Sequence, residues 1–237
     1  MNINTYFSDN DISSLQPAMK IGILGTVNPQ GLPHLTMISS LKACSPTQLC
    51  FGQFTEGVSK AHIRQNPKAG WLIMTLEKNV WRGTADFSHT ANSGPEFDAY
   101  NNTPLFRYNA YFGIHTVYYL NLIAHGGKSP LPMNQVVFAA IQTMLARSLP
   151  GKRSSEPVLT PWARTFLNGL NTLKFLSYIG EDGYPVVIPA IQTQTYDSQN
   201  VLFATSVYRN DLERIPSSIP LAVFGLSLNM EDVLLRG

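Results

Sequence analysis

Charged side chains are scarce in this chain. Only 14% of its 237 residues are Asp, Glu, Lys or Arg, against the quarter or so of an ordinary globular domain. The formal net charge is +2 and no run of Lys and Arg occurs, so the electrostatic footprint of a nucleic-acid-binding protein is missing. The densest basic group, Arg147, Lys152 and Arg153, lies among Pro150, Gly151, Ser154 and Ser155 and reads as a solvated loop. Cysteine is rarer still. Cys44 and Cys50 flank a Pro-Thr turn, form no CxxC and have no histidine pair nearby, so no metal centre is expected. A disulfide between them does not suit a reducing compartment. Met1 to Gln16 has neither the basic start nor the apolar centre of a secretory signal. No apolar run reaches the ~18 residues of a membrane span. A cytoplasmic protein that binds neither membrane nor nucleic acid is the expectation. A surface this poor in charge is hidden most simply in a subunit interface.

What is present is a succession of short apolar runs broken by turns. Ile21 to Val27 and Leu35 to Leu41 read as strands around Asn28-Pro29-Gln30-Gly31, a turn with Gly31 available for positive φ. Leu49 to Phe54, Ala69 to Met74 and Val80 to Phe87 are further strands. Between the first two of these stands Gly57-Val58-Ser59-Lys60-Ala61-His62-Ile63-Arg64-Gln65-Asn66-Pro67. It reads as a short helix that Gly57 lets in, Ser59 starts and Asn66-Pro67 stops. A helix start offers free N–H groups and partial positive charge, and Lys60 adds an ammonium, together a seat for a phosphate. An ordinary surface helix is the competing account.

The order of these marks resembles the FMN-binding split-barrel family that includes pyridoxamine 5′-phosphate oxidase. The marks are the Gly-x-Pro-His turn ending at His34, the strand ending in Phe51, the Ser-Lys-Ala-His helix, Asn66-Pro67, and the strand with Gly83 and Ala85. The resemblance implies a mainly β, α+β fold, a split β-barrel, with FMN as cofactor and a homodimer as the working unit. It also implies which residues touch the flavin: Thr36, Met37, Ile38 and Ser39 on the strand after the turn, Gln53, Ser59 and Lys60. Arg64, one turn past Lys60, stands in for the arginine that many members carry where this chain has Thr36. Lys78 and Asn79 match a contact contributed by a neighbouring subunit. By period two, Thr36, Ile38 and Ser40 share one face, and Met37, Ser39 and Leu41 the other. His34 and His62 read as packed or surface residues, Trp71 and Trp81 as core or interface, and Tyr108, Tyr111 and Phe112 as core or pocket wall.

The implied function is an FMN-dependent oxidoreductase that exchanges electrons or hydride with a small substrate, NADH or NADPH being the candidate donor. A non-catalytic FMN carrier or store, and a haem-binding split barrel, remain alternatives. Pyridoxamine 5′-phosphate oxidation itself is not expected. The family's Arg-x-His substrate grip near the C-terminus has no counterpart in Asp232 to Gly237.

The chain also repeats itself. Sliding by 152 positions lays Gly31 on Gly183, Pro33 on Pro185, Leu24 on Leu176 and Phe51 on Phe203. The copy lacks the phosphate seat, since Ser59 and Lys60 fall on Asp211 and Leu212. Helices are expected over Pro95 to Asn101, over Asn134 to Leu149 by the spacing of Val137, Ala140, Ile141, Met144 and Leu145, and from Thr160-Pro161 to about Asn171. A strand over His115 to His125 closes the first barrel. The expected layout is a flavin-binding barrel over 1–126, a helical connection over 127–171, and a second, degenerate barrel-like unit over 172–237.

Overall fold

The structure is a computed structural model that describes residues 3–104, 113–149 and 158–237. Tyr108, Tyr111, Phe112, Lys152 and Arg153 lie outside the described residues. Two compact units are present: Met1–Leu131 with Ile179–Val187, and Pro132–Tyr178 with Ile188–Gly237. The architecture is mixed α+β with antiparallel sheets, as the sequence leads one to expect.

The first unit opens with helix α1 (Asp9–Leu15), capped reciprocally by Ser8 and Asp11. Strands β1 (Lys20–Val27), β2 (Pro33–Met37), β3 (Lys42–Ser45) and β4 (Gln48–Gln53) follow, then helix α2 (Val58–Gln65), β5 (Lys68–Thr75), β6 (Asn79–Ala91), helix α3 (Pro95–Asn102), β7 (Thr116–His125) and the short β8 (Ser129–Pro130). They form one sheet in the order β2-β1-β5-β6-β7-β4-β3, with β8 on β6. The ends of this path, β2 and β3, are separated in sequence only by Ile38–Leu41. One short turn therefore leaves one edge and enters the other, which closes the sheet into a barrel. Ile38 N–H donates to the Gly22 carbonyl at 2.7 Å on the β1 side. The Ser40 hydroxyl accepts from Gly52 N–H and donates to the Gly52 carbonyl, both at 3.1 Å, on the β4 side. The barrel is filled by Leu24, Leu41, Phe51, Trp71, Trp81, Tyr118 and Leu120. Both tryptophans are fully buried, as expected of core residues, and Trp81 Nε1 donates to Asp11 at 2.7 Å, which ties α1 to the barrel. β7 lies between β6 and β4 and completes the path.

Beyond these come helices α4 (Met133–Ser148) and α5 (Pro161–Asn168), the latter capped by Thr160, whose hydroxyl accepts from Ala163 N–H at 3.1 Å. The remaining elements are β9 (Leu173–Ile179), β10 (Pro185–Pro189), β11 (Gln194–Thr195), β12 (Val201–Leu202), a one-turn helix α6 (Arg209–Leu212), β13 (Ala222–Leu226) and β14 (Asp232–Arg236). They reproduce β1 to β6 in order, and the pairing register is conserved at the 152-residue offset. Gly25 faces Gly70 in the first set, and Ser177 faces Ala222 in the second. Gly70 faces Thr84, and Ala222 faces Arg236. Lys42 faces Cys50, and Gln194 faces Leu202. Even the left-handed positions recur, Gly31 with Gly183 and Lys78 with Met230. Register is set by which side chains must face inward and by turn geometry, so its coincidence across three strand pairs supports duplication of one unit. No helix among the described residues is long and apolar enough to cross a membrane.

Two buried lysines give each unit an unusual response to pH. Burial pushes Lys20 down to about 8, helped by Lys42, and pushes Lys174 down to about 8. Their ammonium groups donate to the Pro17 and Gly169 carbonyls at 2.6 and 2.7 Å. Above pH 8 the folded lysines release protons that the unfolded chain keeps until about pH 10.4. Stability therefore rises with pH in that window, by about 1.4 kcal/mol per pH unit for each lysine. Burial raises the Cys50 thiol and the Tyr100 phenol instead. These two withdraw stability above their unfolded values of about 8.5 and 10. Melting temperature is expected to climb between pH 8 and 9, flatten, and fall beyond 10. A flat or falling profile from pH 8 to 9 would show that the lysines are not held this way.

Candidate functional site

The site is assembled where β4 hands the chain to α2. Gly57, extended at φ −161°, admits the helix, and no side chain caps its first turn. The N–H groups there keep the partial positive charge of a helix start. Asn66 closes the helix, its N–H donating to the His62 carbonyl at 2.8 Å. Ser59, in the first turn, is buried against β2, with its hydroxyl 2.5 Å from that of Thr36. Thr36 also lies 2.9 Å from His34 Nε2. His62 reaches Thr26 Oγ1 on β1 through Nδ1 at 3.1 Å. The two imidazoles meet edge to face, their centroids 5.0 Å apart. A belt of hydroxyls and imidazoles thus joins β1, β2 and α2, and both histidines are packed rather than at the surface.

Lys60 is only 7% exposed. Its Nζ donates to the Thr55 carbonyl at 2.6 Å. Burial lowers its pKa from the ordinary 10.5, Glu56 pulls it back up, and the cation of Arg64 lowers it further. Arg64 donates to the Tyr118 hydroxyl at 2.6 Å and lies 5.4 Å from that ring's centroid. Gln53, at the end of β4, donates to Glu56 at 2.8 Å. Two cations are therefore held close enough to repel, with one carboxylate beside them.

The structure brings Thr36 onto Ser59, while Lys60, the next residue, stands among Thr55, Glu56 and Arg64, with Gln53 held to Glu56. Met37 is the last residue of β2, facing Ile23. Ile38 and Ser39 lie in the turn after β2, not in the strand that the sequence continues to Leu41. The alternation expected from Thr36 to Leu41 stops at Met37, because the chain turns to cross between sheet edges, with Leu41 N–H donating to the Ile38 carbonyl at 3.1 Å. Ser40, expected to share the Thr36 face, instead points at Gly52. Lys78 and Asn79 stand at the β5–β6 turn, Lys78 at φ +61°. Thr36 is level with Leu24 and Trp71 across the sheet, well before Lys78 along β5, so a single chain does not bring these two to the seat. In the second set of strands, Asp211 and buried Leu212 occupy the positions of Ser59 and Lys60, so neither the hydroxyl nor the ammonium is repeated there.

Sequence reading missed Tyr118 as the partner of Arg64, and the Thr26–His62 and His34–Thr36 pairs. Tyr118 lies far along the chain from Arg64 and only the barrel's closure joins them. Cys44 and Cys50 are free thiols. Among the described residues, no group of three or more His, Cys, Asp or Glu is placed to hold a metal.

No family model and no curated protein matches the chain. Solved structures do, each over about half of it. An FMN-binding protein from Syntrophomonas wolfei subsp. wolfei is 14% identical, over 46% of this chain and 77% of that one, with a TM-score of 0.39. A Clostridium acetobutylicum protein of the pyridoxinephosphate oxidase family, related to general stress protein 26 of B. subtilis, is 12% identical over 44% and 76%, with a TM-score of 0.34. HupZ of Group A Streptococcus is 12% identical over 50% and 91%, with a TM-score of 0.39.

Proposed function

We propose that the chain binds FMN, seating the phosphate at the start of α2, and acts as an FMN-dependent oxidoreductase on a small substrate. The observation that carries the reading is the meeting of two hydroxyls from different elements, Thr36 and Ser59, 2.5 Å apart at an uncapped helix start beside Lys60. The donor set fits a phosphate monoester: hydroxyls, an ammonium, a guanidinium and backbone N–H groups, all able to donate. Glu56 opposes it, and Gln53 holds that carboxylate aside. Thr36 and Met37 on β2, with Ile38 and Ser39 in the turn after it, flank the ring system, and Ser59, Lys60 and Arg64 stand at its phosphate end. In a homodimer, Lys78 and Asn79 of one chain reach the site of the other. The bound flavin supplies the electron exchange; the chain binds it, orients it and sets the charge around it. NADH or NADPH is the electron source we assign. The free thiols support a reducing, cytoplasmic setting.

The test is an absorbance titration of purified protein with FMN, followed by anaerobic mixing with NADH and NADPH. Saturable perturbation of the flavin band, with bleaching at a catalytic rate, is the expected result. Binding without bleaching would leave a carrier or store; no binding at all would end the reading.

A further inference from the structure

Helix α4 carries two faces, and only one is packed against other described residues. Val136, Ala139 and Thr143 are buried. Thr143 fixes this inner face, its hydroxyl donating to the Ala139 carbonyl and accepting from Ala204 N–H, both at 2.9 Å. The outer face is as apolar as a core. Met133, Val137, Phe138, Ile141, Met144, Leu145 and the capping residue Leu149 are 37% to 65% exposed. At 3.6 residues per turn these positions spread over roughly 160° of the helix. Asn134 and Ser148, both exposed, are the polar residues interspersed among them, and no charge falls on the face.

Together the seven side chains leave on the order of 700 Å² of surface open, against the ~300–600 Å² of the largest apolar patch on an ordinary monomer. It is close to the ~800 Å² that each partner contributes to a standard stable interface. The occupant is written in the spacing. The exposed positions are symmetric about Ile141. A second helix laid antiparallel, with a two-fold axis through Ile141, sets Met133 against Leu149, Val137 against Leu145 and Phe138 against Met144. The same operation pairs Asn134 with Ser148 and Ile141 with its own copy. Self-complementarity of this kind is what an isologous interface requires. A partner of different sequence has no need of it.

We infer that the outer face of α4 is the interface with a second copy of this chain, two α4 helices packing antiparallel across a two-fold axis at Ile141. It hides the surface that the low charge content calls for, and it stands whether or not the barrel binds flavin.

Sedimentation at micromolar concentration, without added flavin, tests it. The wild-type chain is expected to associate. Ile141→Asp sets two carboxylates against each other at the axis, and Leu145→Glu puts charge opposite Val137. Each is expected to weaken association at least about tenfold, with unchanged circular dichroism because both side chains are solvent-exposed. In a Cys44→Ser background, Ile141→Cys is expected to form a covalent dimer under a mild copper(II) oxidant: two thiols lose two electrons and two protons to one disulfide. Phe138→Cys is expected to cross-link efficiently only with Met144→Cys chains. A monomeric wild type, association untouched by Ile141→Asp and Leu145→Glu, or no cross-link from Ile141→Cys would overturn the inference. So would a monomer that instead sediments with phosphatidylcholine vesicles.

Discussion

Gly83→Ala is expected to cost about 3 kcal/mol or more of the first unit's stability. Gly83 sits in β6 facing Trp71 on β5 and His125 on β7. A Cβ there would run into the Ala124 carbonyl oxygen, and would come within 2.9 Å of both the Ala124 carbonyl carbon and His125 Cα. All three are backbone atoms, so no rotamer relieves the clash, and β6 and β7 must part. Parting them strains the bond from Gly126 N–H to the Arg82 carbonyl, now 3.1 Å. It also disturbs β7, which carries Tyr118. Overpacking a core ordinarily costs about 1–3 kcal/mol, and backbone-to-backbone strain belongs at or above the top of that range. The entropy that alanine removes from the unfolded chain returns only about 0.4–1 kcal/mol. Gly31→Ala is the control. Gly31 lies at φ +77° with nothing within 4 Å of the added atom, so its cost is the left-handed strain alone, about 1–2 kcal/mol. Urea unfolding of the two variants should rank them in that order. Equal midpoints would mean that β6 and β7 are not packed as closely as described.

Gly83 was legible in the sequence as one of five marks of a family, yet its physical reason was not, because the strand it touches lies some forty residues further on. The same division runs through the molecule. The turn at Gly31, the Thr160 cap and the apolar spacing of α4 are local signals, and each stands where the sequence puts it. The repeat was legible because glycine and proline punctuate both copies at one offset, and pairing register follows punctuation. What failed was the stretch from Thr36 to Leu41. Its composition suits a strand, but it has to cross from one sheet edge to the other, and a tertiary demand overrode propensity there. The helix start at Ser59 and Lys60 was legible from local signals. The partners that hold it, Thr36 for Ser59 and Tyr118 for Arg64, come from strands that only closure of the barrel brings near.

Lys60→Ala is expected to lower affinity for FMN by about tenfold to a hundredfold, the loss of one charge-assisted bond worth roughly 1.5–3 kcal/mol. Riboflavin shares the ring and sugar chain but has no phosphate, so its affinity is expected to stay the same in the variant. That contrast separates a phosphate contact from general damage to the site. The pH dependence gives a second signature. Burial, reinforced by Arg64, holds the Lys60 ammonium below its ordinary pKa of 10.5. In the wild type, FMN binding weakens as pH rises through that lowered value, because the ammonium is lost while the phosphate remains a dianion above about pH 6. Lys60→Ala has no ammonium to lose, and its weaker binding should not change over the same range. The two curves converge at alkaline pH. Parallel curves, or equal losses of FMN and riboflavin, would show that Lys60 acts through packing against Thr55 and that the phosphate sits elsewhere.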